Sequence, residues 1–303
     1  MELLRALEGI RTPFLDSVIG AVTQLGEETI GIIILCIIFW CISKRAAYII
    51  GAVFFISGLI VQGGKISFQI ERPWILDPTL NPVPAAIGQA TGYSFPSGHT
   101  QTAASIFGAL GAQIKIKAIA GVCFALPVLV AFSRLYLGVH TLQDVLVSLL
   151  ISAVVIFIMV RLLHDDKSWL HKSFWISIVI LALAAIVAAL SLILYHSGQI
   201  DVRYVHDCMK VAGAAVGFGI GFYVERVFIN FTPKSKNVAV HAVKCILGVA
   251  GIVAFQEVLV WNFDPGLLTD FFVYFAIIIW ITVIYPIFIK KFFALREEAA
   301  KEN

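Results

Sequence analysis

Nine long apolar stretches limit what this chain can fold into. They lie at approximately 26–42, 46–64, 99–114, 118–134, 142–163, 174–195, 209–229, 239–261 and 269–289. A bilayer's hydrocarbon core is crossed by about 20 residues of α-helix. Backbone N–H and C=O groups find no water there, so each crossing segment must satisfy its own. The composition agrees: 60% of the 303 residues are hydrophobic and 14% charged. Soluble domains have about 45–50% and about 25%. The reading is an all-α, polytopic transmembrane helix bundle of about nine spans. Residues 14–25 mix apolar and polar side chains and fit either an interfacial helix or the start of the first span.

The cations set an orientation. Fifteen of the 22 lysines and arginines, Lys44, Arg45, Lys115, Lys117 and Arg161 among them, fall at one set of span ends. Seven, including Lys65, Arg72 and Arg134, fall at the other. Cytoplasmic loops carry the excess of Lys and Arg. This places the N-terminus outside, the C-terminus in the cytoplasm, and loops 65–98, 135–141, 196–208 and 262–268 outside. No secretory signal is evident, because Glu2, Arg5, Glu8 and Arg11 interrupt the start. A bacterial plasma membrane is the expected location. Cys36, Cys41, Cys123, Cys208 and Cys245 form no C-x-x-C pair and read as small apolar residues.

Three segments on the outward side carry chemistry. In the first, Lys65 and Arg72 are seven residues apart, close to two helical turns, and Pro73 follows. On a continuing helix both would share a face. Two cations at a span's end make an anion site, with the Arg fork suited to phosphate; snorkelling interfacial anchors are the alternative. The second is Pro96-Ser97-Gly98-His99, opening an apolar run. Ser97 resembles an N-cap, Gly98 lets a ligand approach backbone, and helix-start N–H groups favour an anion. His99 stands where it can pass a proton near neutral pH, or serve as an ordinary surface histidine. The third runs from Ser133-Arg134 to His140 and Asp144. A carboxylate four residues from a histidine can fix its tautomer and free the other nitrogen for attack. Arg134 adds a third cation. An Asp in an apolar segment is itself a functional candidate.

Taken together these segments resemble the type 2 phosphatidic acid phosphatase family. Its pattern is K-x6-R-P, then P-S-G-H, then S-R-x5-H-x3-D, and all eleven fixed residues are present. The resemblance implies that His140 attacks phosphorus and forms a phosphohistidine. It implies that Asp144 orients His140, and that His99 protonates the leaving oxygen and then activates water. Lys65, Arg72 and Arg134, with Ser97 and the Gly98 amide, would hold the phosphoryl oxygens. No metal and no other cofactor is expected. The division expected is a phosphatase core over 1–167 and an additional four-span membrane region over 168–303.

The leading expectation is a membrane phosphatase for a lipid phosphate or pyrophosphate, of the phosphatidate, phosphatidylglycerol phosphate or polyprenyl pyrophosphate class. Membrane lipid is the expected partner and nucleic acid is not. Nine spans with an outward N-terminus also resemble the glucose-6-phosphatase branch, which keeps a soluble sugar phosphate open. Lipid phosphotransfer, and transport without catalysis, are further alternatives. Gly213, Gly217 and Gly221, four apart, read as close packing within the chain, with a homodimer contact as the alternative. Pro127 and Pro286 are expected to kink their spans. Glu27 and Glu28 read as a solvated helix start, with shaping of the site entrance as the alternative; Tyr204, His206 and Asp207 as a polar outward loop, with head-group selection as the alternative; and Glu257 as an interfacial residue, with a buried partner as the alternative. His164, Asp165 and Asp166 read as a solvated cytoplasmic loop.

Overall fold

In the computed structural model of the chain, residues 1–163, 169–235, 237–262 and 264–293 are described. His164, Asp165 and Asp166, read as a solvated loop, and Lys167, Lys236, Arg296 and Lys301 of the cation count lie outside them. Among the described residues every regular element is helical. Two helices lead in, α1 (Glu2–Glu8) and α2 (Pro13–Thr23), followed by a 3-10 turn, Gln24–Gly26. Next come α3 (Glu28–Ile37), which continues in a π-helical turn, Ile38–Ile42, and α4 (Lys44–Phe68). Two short helices, α5 (Pro73–Leu76) and α6 (Pro84–Ile87), lie in the connection to α7 (Gly98–Ala103). After a π turn, Ala104–Gly108, comes α8 (Ala109–Gly111). Then follow α9 (Lys117–Tyr136), α10 (Leu142–Leu162), α11 (Trp169–His196), α12 (Val202–Val224), α13 (Val238–Asn262) and α14 (Leu267–Ile279).

Seven helices are long and apolar enough to cross a membrane, and the pair Pro13–Gly26 and Glu28–Ile42, bent by 54°, supplies an eighth span if taken as one. The remaining apolar run, 99–114, makes a shorter helical stretch from Gly98 to Gly111. Each of the nine apolar runs is therefore helical. Pro286 sits in a four-residue α-turn, Tyr285–Phe288, between π-helical turns Trp280–Ile284 and Ile289–Phe293.

The residues group into two compact units. One joins Met1–Ile32 to Ile56–Arg161, and the other joins Ile33–Phe55 to the described residues from Leu162 onward. In the first unit α4 arrives at, α7 leaves, α9 arrives at and α10 leaves one common end. Lys65 and Arg134 occupy last turns and Asp144 a first turn. Cations at helix C-termini and an acid at an N-terminus complement the helix dipoles. The entry helices are tied to the loops at that end. Arg5 bonds to Asp77 Oδ2 at 2.6 Å, and Asn81 Nδ2 donates to Glu8 Oε1 at 2.9 Å. Arg11 donates to Tyr136 O at 2.9 Å and also to Asn81 O. The Arg5 contact holds the half-buried Asp77 carboxyl down to about 2.

The second unit buries a carboxylate. Glu225 accepts from Lys44 Nζ at 2.9 Å, from Tyr48 OH at 2.5 Å and from Phe231 N at 3.1 Å. A charge at this depth persists only when paired and hydrogen-bonded in this way. Tyr204, His206 and Asp207 differ from the loop expected for them. Asp201 caps α12 by accepting from Arg203 N at 2.9 Å, so all three lie on the helix, and His206 Nδ1 meets Asp270 Oδ2 of α14 at 2.5 Å. Glu257 is exposed on α13.

The glycine stripe of α12 is taken up inside the chain. A Cβ at Gly213 would strike the carbonyl oxygen of Phe271, and one at Gly217 would stand 2.8 Å from Phe275 O. This face touches α14 backbone and is not open to a second copy. Gly213→Leu is expected to cost about 1–3 kcal/mol through overpacking, read as a melting temperature several degrees lower in detergent. Unchanged melting would contradict the contact.

Candidate active site

His140 precedes α10, and its surroundings fix its proton. Thr141 and Asp144 form a capping pair at the start of that helix. Thr141 N donates to Asp144 Oδ2 at 2.8 Å, and Thr141 Oγ1 donates to Asp144 Oδ1 at 2.9 Å. The fold thus places Asp144 for a local reason, and Oδ2 then lies 3.2 Å from His140 Nδ1. Ser94 Oγ donates to the same Oδ2 at 2.5 Å. On the other side of the ring, Arg72 Nη1 stands 2.9 Å from His140 Nε2. A guanidinium only donates, so Nε2 is the acceptor and Nδ1 carries the hydrogen. The lone pair on Nε2 therefore faces Arg72. Burial first, then the charges of Arg72, Arg134 and Lys65, hold the imidazole well below the ordinary histidine value. The contact with Asp144 is accordingly a hydrogen bond from a neutral ring.

Arg72 reaches this position by leaving its helix. α4 ends at Phe68, Gln69 takes a positive φ of 50°, and Arg72 is extended before Pro73. The shared helical face expected for Lys65 and Arg72 is therefore not formed. Proline disfavours helix in the residue before it, and Ser94 N pins Ile70 O at 2.8 Å. The Arg72 fork is held by the carbonyls of Thr91 at 2.6 Å, Gly92 at 3.0 Å and Val139 at 3.0 Å. Lys65 stays on α4. A Cβ added to Gly98 would lie 3.6 Å from its Nζ, so the glycine at the start of α7 faces that cation.

Arg134 is fully buried on α9. Its Nη1 donates to Thr23 Oγ1 at 2.9 Å, while Nε and Nη2 have no hydrogen-bond partner. An unsatisfied buried donor costs about 1–3 kcal/mol, and more when charged. An anion bound here would satisfy both. Ser97 is fully buried as well. As N-cap of α7 its side chain does not cap; its Oγ accepts from Thr100 Oγ1 at 3.0 Å, and its N–H reaches Asp144 O at 3.2 Å. That backbone bond joins the starts of α7 and α10. His99 lies one residue into α7, with Nε2 3.3 Å from Glu27 Oε1. The distance suits an ion pair, but the alignment makes no hydrogen bond, and Nε2 has no other partner.

All eight residues singled out by spacing thus occupy one end of one unit. The structure adds Thr23, Glu27 and Ser94. Glu27 is not a freely solvated helix start but stands against His99. Its signal in the sequence was a carboxylate between two apolar stretches, at Gly26-Glu27. Ser94, a serine three residues before Ser97, carried no signal. Among the described residues, no three His, Cys, Asp or Glu side chains converge as metal ligands.

The family model described as PAP2 superfamily matches residues 45–169. The model described as PAP2 superfamily phosphatase, transmembrane extension, matches 209–298. No curated protein and no solved structure matches. The first match contains every residue of the three motifs, whereas Thr23 and Glu27 lie before it.

The unpaired donors of Arg134 give a direct test. Inorganic phosphate at about 100 times its Kd should stabilise the purified protein by about 2.7 kcal/mol. Arg134→Met should lose this gain while melting no lower than wild type without phosphate, because it removes an uncompensated buried charge. A variant that phosphate still stabilises would contradict the assignment.

Proposed function

Starting from a chain that belongs to the PAP2 superfamily, a membrane phosphatase with the family's transmembrane extension, we propose that it hydrolyses a lipid phosphate or pyrophosphate through a phosphohistidine on His140. The observation that carries this reading is the convergence of Arg72, Arg134 and Lys65 on a neutral histidine whose Nε2 lone pair faces Arg72. Arg72 Nη1 passes from His140 Nε2 to a phosphoryl oxygen, and the released Nε2 lone pair attacks phosphorus as the ester P–O bond breaks. His99 gives its proton to the leaving oxygen. Water then attacks the phosphohistidine, His99 takes a proton from it, and the P–N bond breaks to release phosphate. The three cations act on the equatorial oxygens, where phosphoryl transfer gains most. Asp144 keeps the attacking tautomer and offsets the charge on the ring once it is phosphorylated. None of these steps calls for a metal ion.

The lipid class is supported by exposed apolar side chains beside the first motif in the chain. Phe68, Ile75 and Leu76, on either side of Arg72, are 54–64% exposed. At a membrane interface such side chains sit among acyl chains and headgroups, which suits an amphiphilic substrate. The excess of Lys and Arg at the opposite span ends supports an outward-facing site.

Phosphate release should be measured in EDTA over lipid phosphates, polyprenyl pyrophosphate and glucose 6-phosphate. His140→Ala is expected to lose at least about a thousandfold. In sealed right-side-out vesicles, a membrane-impermeant phosphoester should be hydrolysed without permeabilisation. Loss of activity in EDTA, preference for the sugar phosphate, or activity only after permeabilisation would each overturn the corresponding part. The acid limb of kcat/KM, set by protonation of His140, should lie below the unperturbed value of about 6.5. Stability follows the same sign. The unfolded chain takes up this proton first, so stability is full above about 6.5 and falls as pH drops towards the folded value.

A further inference from the structure

The 3-10 turn Gln24–Gly26 comes unusually close to the second motif. A Cβ on Gly26 would stand 2.7 Å from His99 O, 2.9 Å from Val130 Cγ1 and 3.0 Å from His99 Cβ. Two of these three atoms belong to His99, so the turn can press on that residue only because position 26 is glycine. The next residue, Glu27, takes an extended backbone at the 54° break between α2 with its 3-10 turn and α3. That break sends its side chain to His99 Nε2, at 3.3 Å. Four residues before Glu27, Thr23 Oγ1 accepts from the buried Arg134. One five-residue segment thus touches both the proton-carrying histidine and a phosphate-binding arginine.

The charges around His99 give Glu27 a purpose. Lys65 of α4, Arg134 of α9 and His140 before α10 act on the same ring region. Burial first, then the two fixed cations, oppose a protonated imidazole, yet the leaving oxygen needs a proton from it. Glu27 is the one carboxylate facing His99 among the groups that act on it. We propose that Glu27 is the positioning residue of His99, its carboxylate holding the ring by Nε2 and favouring the protonated form, so that Nδ1 serves the leaving oxygen. This deepens the phosphatase reading and rests on it. Glu27 remains ionised throughout. The proton leaves His99 as the ester bond breaks and returns to it from water in the second step.

The test compares wild type, Glu27→Gln and Glu27→Asp on two phosphoesters. Phosphatidate has an alkoxide leaving group that needs a proton; 4-nitrophenyl phosphate has one that does not. With Glu27→Gln, kcat on phosphatidate should fall about tenfold to a hundredfold. KM should stay within about twofold, and the alkaline limb should move to lower pH. The first-turnover burst of 4-nitrophenolate should change by less than about threefold, and Glu27→Asp should recover part of the loss. Equal losses on both substrates, or an unmoved alkaline limb, would overturn the proposal. Histidine-labelled NMR in detergent reads the pairing without turnover. The His99 titration should move to lower pH in Glu27→Gln, and an unchanged titration would also overturn the proposal. Wild type without phosphatase activity would count against the function reading instead, while the titration would still decide the pairing.

Discussion

Arg134 carries its charge where the fold gives it one side-chain partner, Thr23, and leaves two donors unanswered. Arg72 lies nearby, almost fully buried but held by three backbone carbonyls. Placing two guanidinium groups and a lysine beside one imidazole works against stability, because like charges repel and burial penalises each of them. The same placement makes the site ready for a phosphoryl group, whose oxygens satisfy the donors and whose charge offsets the cations. Much of the first unit can be understood as support for this arrangement. Helices α4 and α9 bring cations in at their C-terminal turns. The capping pair at the start of α10 sets Asp144, and a backbone bond from Ser97 to Asp144 joins α7 to α10.

Neutrality of His140 follows from the same cluster. A protonated ring could not attack phosphorus, and burial with three cations keeps the proton off Nε2. Asp144 and Arg72 then divide the ring between them, one accepting from Nδ1 and the other donating to Nε2. His99 would have the opposite need, since the proposed mechanism has it carry a proton beside those cations. In the proposed account Glu27 supplies the difference. The two histidines would then hold different protonation states because Nε2 of one meets a guanidinium while Nε2 of the other meets a carboxylate.

The helical architecture was legible because lipid forces it: every apolar run became a helix. The motif residues were legible because motif spacing survives folding, and Lys65, Arg72, Ser97, Gly98, His99, Arg134, His140 and Asp144 do share one end of one unit. The path of Arg72 was not. Helical periodicity carried it onto α4, whereas the positive φ at Gln69 and the bond from Ser94 to Ile70 turn the chain away. Both effects are tertiary and leave no periodic trace. Glu27 was misread for a related reason. Its partner is 72 residues away, and only the close approach allowed by Gly26 brings them together. The loop reading of Tyr204 and His206 failed because a single cap at Asp201 started α12 earlier than the apolar pattern did.

The central claim is that His140 becomes covalently phosphorylated. The most direct measurement is rapid quenching of the purified protein with a ³²P-labelled substrate, followed by peptide mapping. The account predicts an acid-labile, alkali-stable phosphate on the peptide carrying His140, formed within the first turnover, absent from His140→Ala and accumulating in His99→Ala given an activated leaving group. Rapid turnover by wild type with no label on that histidine at any quench time, or label on another residue, would contradict it.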